Sequence, residues 1–94
     1  MSVVIVGGHD KMCKDYIRLC KKYNCKAKVF TQMETGFKDK IGMPDAVLLL
    51  TDVVSHKLVI TAKREAEKKN IRIIRNHKST LNSVEAIIKE ISLN

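Results

Sequence analysis

Hydrophobic and polar residues alternate between two rhythms along this chain. Residues 2–6 (SVVIV) and 45–50 (DAVLLL) are almost unbroken apolar runs, the pattern of strands buried on both faces. Gly7 and Gly8 punctuate the end of the first. Residues 26–30 (KAKVF) alternate polar and apolar, which predicts a strand exposed on one face and nearer a sheet edge. Residues 71–74 (IRII) predict the fourth strand.

Between these runs the period lengthens. Cys13, Tyr16, Ile17 and Cys20, within residues 10–23, recur at helical spacing and predict one inward stripe. Asp10 is placed to cap that helix. Ser55 begins a longer helical pattern through Asn70, with Val59, Ala62 and Ala66 on one face and the charges of residues 63–69 (KREAEKK) on the other. Asn82 and Glu85 have capping-box spacing ahead of Val84, Ile87, Ile88 and Ile91. Residues 31–44 are irregular, with Gly36, Gly42 and the only proline, and residues 37–41 suffice for a single helical turn.

Strands that alternate with helices pair in parallel through right-handed crossovers, because each connection is too long for a hairpin. The expected fold is therefore α/β, a three-layer sandwich around a four-stranded parallel sheet in the order 2-1-3-4. That order sets the two most apolar strands side by side, with a topological switch between them. The 94 residues form one domain, residues 1–94. A chain of this size buries only about 60–68% of its unfolded surface, so self-association into a homodimer is expected.

Composition narrows the class. At 45% apolar and 30% charged residues the chain reads as an ordinary soluble globular protein, neither a disordered tail nor a disulfide scaffold. The apolar residues 1–8 are too short for a signal peptide and lack a basic leader and a cleavage site, which points to a cytoplasmic protein without a membrane partner. Cys13, Cys20 and Cys25 include no CxxC pair, so reduced thiols are expected. Cys13 and Cys20 share the inward face of the first helix and read as small hydrophobes. The net charge of +8 invites nucleic acid as a partner. Solubility is the favoured reading of that charge, since most lysines fall on helix surfaces and no aromatic is interleaved with basic residues on a strand face.

In open parallel sheets ligands bind beyond the carboxyl ends of the strands, at the switch. The predicted exits are Gly7-Gly8-His9-Asp10-Lys11, Thr31-Gln32-Met33, residues 51–57 (TDVVSHK) and Arg75-Asn76-His77-Lys78-Ser79. All three histidines follow strand ends, so His9, His56 and His77 can converge on one metal-containing or anionic ligand, or stand as separate solvated loop residues. Gly7 and Gly8 let backbone approach a ligand, or simply form a tight turn. Ser55 caps the long helix and sets His56 in its first turn, facing the crevice, as the best single ligand candidate or as a cap-adjacent surface histidine. Lys11, Lys57, Arg75 and Lys78 give the same edge a positive potential. The chain has no nucleophile elbow, no HExxH and no carboxylate pair placed for acid–base work, so a non-enzymatic binding domain is favoured.

The segments SVVIVGGHD, CKAKVFTQM and PDAVLLLTDVVSHK together resemble a small bacterial family, domain of unknown function 2325, over nearly the whole chain. The recognisable parts are the VVGG-like opening and Thr51, Val54, Ser55 and His56 ahead of a helix. The resemblance implies a Rossmann-like or flavodoxin-like bacterial domain. It also brings in haem as a cofactor, with His56 or His9 as axial ligand. Haem needs a flat apolar slot as well as an imidazole, and only residues 33–43 or a dimer partner offer apolar surface for it. The expected function is thus a ligand-binding or sensor domain holding haem or another anionic cofactor at Gly7, Gly8, His9, Thr51, Ser55, His56, Lys57, Arg75 and His77. The alternatives are a phosphate- or nucleotide-handling enzyme or signalling domain, and nucleic-acid binding through net charge.

Overall fold

Strand β1 (Ser2–Gly7) lies between β2 (Lys26–Phe30) and β3 (Ala46–Leu50), and β3 carries β4 (Arg72–Asn76) on its far side. All pairings are parallel, with Val4 opposite Lys28 and Val47, and Leu48 opposite Ile74. The order is β2-β1-β3-β4, as the apolar runs predict. The structure, a computed structural model, describes residues 1–93.

The two faces of the sheet bury different residues because successive side chains point opposite ways. Val3, Ile5, Leu48 and Leu50 pack against Tyr16 and Cys20 of α1 (Cys13–Lys22) and Val84, Ile88 and Ile91 of α4 (Leu81–Ser92). On the other face, Val4, Val6, Val47 and Leu49 meet Leu58, Ala62 and Ala66 of α3 (His56–Lys68) and Phe37 of the one-turn α2 (Phe37–Lys40). Phe30 and Phe37 pack edge to face at 4.9 Å. The two alanines let α3 lie close on the sheet, and Glu65, a buried carboxylate on that helix, pairs with Lys38 and Lys69. Lys69 also donates to the Gly42 carbonyl at 3.0 Å, which pins the irregular 31–44 segment to α3.

The two halves of the chain end their helices in the same way. The Cys25 amide bonds the Cys20 carbonyl at 2.9 Å, and the Ile71 amide bonds the Ala66 carbonyl at 2.8 Å. Each bond spans a left-handed asparagine, Asn24 at φ 59° and Asn70 at φ 58°, which is the Schellman termination. Cys20 and Cys25 therefore take the positions that Ala66 and Ile71 occupy in the second half, as small buried apolar residues.

Four local expectations are corrected. Asp10 does not cap α1: a 3-10 turn, Asp10–Met12, precedes that helix, whose N-cap Met12 makes no side-chain cap bond. Ile17 is 43% exposed, because the inward stripe of α1 runs through Tyr16 and Cys20 with Met12, Leu19 and Tyr23 beside it. Asn82 and Glu85 form no capping box. Thr80 is the cap and accepts from the Ser83 amide, while Glu85 turns to Tyr23 and Lys22. Finally, Arg75 is part of β4 and not of its exit, since pairing continues to Leu50 opposite Asn76.

Candidate functional site

The four strand exits share one end of the sheet, and hydrogen bonds lace them together. The Asp10 carboxylate accepts from the Thr31 hydroxyl and the Gln32 amide nitrogen, joining the exits of β1 and β2. The Gly8 amide donates to the Val53 carbonyl at 2.7 Å, joining β1 to β3. Thr51 and Asp52 donate their amides to the Asn76 and His77 carbonyls at 2.9 and 3.0 Å, joining β3 to β4. The Asp52 carboxylate then accepts from both the amide and the hydroxyl of Ser79, each at 3.1 Å. The Ser79 carbonyl takes the Tyr16 hydroxyl at 2.6 Å, which returns the chain of bonds to α1.

This lacing decides what the glycine pair does. Gly7 and Gly8 have φ of 109° and 85°, a region unfavourable to other residues. A Cβ at Gly7 would collide with the Leu50 carbonyl, and one at Gly8 would stand 2.6 Å from the Tyr16 hydroxyl. The close approach that these glycines permit is to the chain itself. Both are buried, beneath the rim rather than on it.

The exposed rim is basic. His9 lies between β1 and the 3-10 turn, His56 is the first residue of α3, and His77 follows β4; all three are exposed. Lys11, Lys57 and Lys78 stand beside them and are exposed too, as are Thr51 and Ser55. Ser55 does cap α3, its hydroxyl accepting from the Leu58 amide at 3.2 Å. Arg75 is exposed one residue further back, on the edge strand.

Two groups here have shifted acidities. Desolvation by itself would raise the Asp52 carboxyl, but the Ser79 amide and hydroxyl outweigh it, with help from the Val53 amide and the nearby His77, and hold it below the ordinary carboxylate value. Burial pushes the Tyr16 hydroxyl up, against the opposing bond to Ser79. Tyr16, Asp52 and Ser79, the residues that organise this end, were not legible as a set. A buried tyrosine needs a partner for its hydroxyl, and an aspartate just past a strand end favours local bonds to turn amides. Those two rules are the signal that points to them.

No group of three or more His, Cys, Asp or Glu residues among those described is arranged to hold a metal ion. Haem would need only one imidazole, beside an apolar slot. An apolar hollow of about 310 Å³ does exist, but it lies at the amino end of the sheet, lined by Val4, Ala27, Ile41, Met43 and Pro44 with Ser2, Val3, Lys26 and Lys28, and without a histidine. The described residues that line this hollow therefore do not fit haem. No helix among the described residues is long and apolar enough to cross a membrane.

A parallel sheet in the order β2-β1-β3-β4, with α1 and α4 on one face and α2 and α3 on the other, defines a Rossmann-like α/β domain. The chain belongs to the family described as "Uncharacterized protein conserved in bacteria (DUF2325)", whose model matches residues 2–91. Among solved structures it is similar to a de novo designed Rossmann fold protein, with a TM-score of 0.72, 20% identity and full coverage of both chains. A de novo designed Rossmann 2x2 fold protein is similar at a TM-score of 0.61 and 19% identity, covering 98% of this chain and 86% of that one. The lactose-specific IIB component domain of the phosphoenolpyruvate:carbohydrate phosphotransferase system from Streptococcus pneumoniae is similar at 0.62 and 11% identity, covering 97% and 93%. At these identities the likeness is one of fold alone. No curated protein matches the chain.

Proposed function

We propose that this is a binding domain that takes a small anionic ligand, a phosphate or carboxylate, on the rim formed by the strand exits. The observation that carries the reading is an imbalance of free charge. Asp10 and Asp52 both have their carboxylates engaged by neighbouring loops. His9, Lys11, His56, Lys57 and Lys78 stand exposed on the same end with no acidic partner among the described residues, and His77 has there only the nearby Asp52. Such an excess of basic groups over a stiff, laced base favours anions. In this reading His56 and Lys57 are the principal contacts, because the first turn of α3 also presents backbone amides and the positive end of the helix dipole. His9 and His77 flank them from the neighbouring exits.

The test is amide NMR titration of the purified protein with inorganic phosphate, pyrophosphate and adenosine monophosphate. The reading expects shifts at residues 55–58 and at His9 and His77, weakened by His56→Gln and Lys57→Gln together. Shifts confined to other surfaces, or unchanged in the double variant, sink it.

A second reading, nucleic-acid binding, has its own observation. Lys14, Arg18 and Lys21 surround a shallow hollow of about 300 Å³ on the outer face of α1, with the exposed Ile17 among them. Phosphate contacts along that helix would make binding fall steeply with salt. Retardation of RNA or DNA that disappears in Lys14→Gln/Lys21→Gln supports this surface, and salt-independent binding excludes it.

A further inference from the structure

We propose that the hollow at the amino end of the sheet is a separate binding site for a small aliphatic carboxylate. It lies at the opposite end from the rim, so it stands or falls independently of the anion reading given above.

The hollow exists because one part of the sheet lacks a helix. On this face α3 packs against β1, β3 and β4, and Phe37 of α2 covers Phe30 at the carboxyl end of β2. The amino half of β2 is left open. Its floor is the sheet surface at Ser2 and Val4, with Lys26 and Lys28 beside them in register, and its wall is Ile41, Met43 and Pro44. About 310 Å³ lies at the small end of the roughly 300–1,000 Å³ typical of ligand pockets, which selects a small molecule. Met43 is 71% exposed, an adaptable apolar arm able to fold over an alkyl chain.

Charge selects the headgroup. Both titratable side chains that line the hollow are lysines, and no carboxylate lines it. Lys28 is held in place by donating to the Lys40 carbonyl at 3.0 Å, which leaves two of its three N–H donors free. Lys26 has no acidic partner recorded among the described residues. Asp45, at the start of β3, is engaged by the Ser2 amide at 2.7 Å and by the Ser2 hydroxyl. An apolar floor and wall beside two cations match a molecule with an alkyl body and one carboxylate. Lysines on an edge strand also discourage edge-to-edge pairing, but that role calls for no apolar hollow beside them.

The test compares octanoate with octan-1-ol by amide NMR on the purified protein. Octanoate is expected to shift residues 26–28 and 41–43 and to bind about tenfold more tightly than the alcohol, the equivalent of about 1.4 kcal/mol. Lys26→Gln with Lys28→Gln should erase that preference, and Met43→Glu, on an exposed loop residue that the fold does not need, should abolish binding. The proposal is overturned if octanoate produces no shifts there, if alcohol and acid bind alike, or if the lysine variants bind as the parent does. It is also overturned if the same signals move on simple dilution, which would make a second copy of the chain the occupant.

Discussion

The Tyr16 hydroxyl reaches across from α1 to the Ser79 carbonyl at 2.6 Å, a bond between two buried residues 63 positions apart. It is the only side-chain bond recorded from the body of α1 to the exit of β4 among the described residues, and its loss would leave a buried carbonyl without that donor. Tyr16→Phe should lower stability by about 1–3 kcal/mol, read as a lower urea midpoint with unchanged slope.

Gly8 and Tyr16 should prove coupled. Gly8→Ala places a methyl 2.6 Å from the phenol oxygen at a backbone φ of 85°, so it is destabilising on two grounds. In the Tyr16→Phe background the oxygen is gone and only the backbone strain and the ring contact remain. A double-mutant cycle is expected to return a coupling of about 0.5–3 kcal/mol. Strict additivity would mean that the phenol oxygen adds nothing to the cost of the methyl, leaving φ and the ring contact as its causes.

Asp52 should give the domain part of its acid sensitivity. Its folded-state pKa lies below the ordinary value, which is about 3.9 in an unfolded chain. The stability it contributes is therefore complete above about pH 4 and is lost as pH falls through the lower folded value. Asp52→Asn should lower stability at about pH 7 and flatten its decline below about pH 4. Urea midpoints across that range decide the matter, and parallel curves for both proteins would contradict it.

The thiols should react in a fixed order. Burial, reinforced by the neighbouring Cys25, pushes the Cys20 thiol up to about 12, and Cys25 is only 4% exposed. Cys13 is half-buried near the rim. Iodoacetamide on the native protein should label Cys13 first, with Cys20 labelled at the rate of unfolding. Peptide mass spectrometry reads the order directly.

The two left-handed asparagines give a paired test. Asn70→Ala should cost about 1–2 kcal/mol, and Asn70→Gly should be neutral or stabilising. Asn24, at nearly the same φ, should respond in the same sense in thermal unfolding.

These details show where the chain's text is readable and where it is not. The sheet order follows from burial: the continuous apolar runs of β1 and β3 have to be central, and the alternating KAKVF has to lie outside them. Caps are harder to read, because each polar residue near a helix start has competing partners. Asp10 was within reach of a helix N-terminus, but an extra 3-10 turn set it beside Thr31 and Gln32. Glu85 was placed to complete a capping box with Asn82, but folding brought Tyr23 and Lys22 to it from 62 and 63 residues away. That His9 and His77 come just past β1 and β4, with His56 opening α3 beyond β3, depends only on chain order. That their exits are sewn together through Asp52 and Ser79 depends on tertiary contacts which no local spacing encodes.

The circuit of bonds from Gly8 through Val53, Asp52 and Ser79 to Tyr16 has a dynamic consequence. No strand exit on that path can peel away alone, because each is anchored to a neighbour that is itself anchored. Amide protons along it should exchange with solvent as one group, at a common opening free energy, so that this end of the domain behaves as a single hinge-free plate.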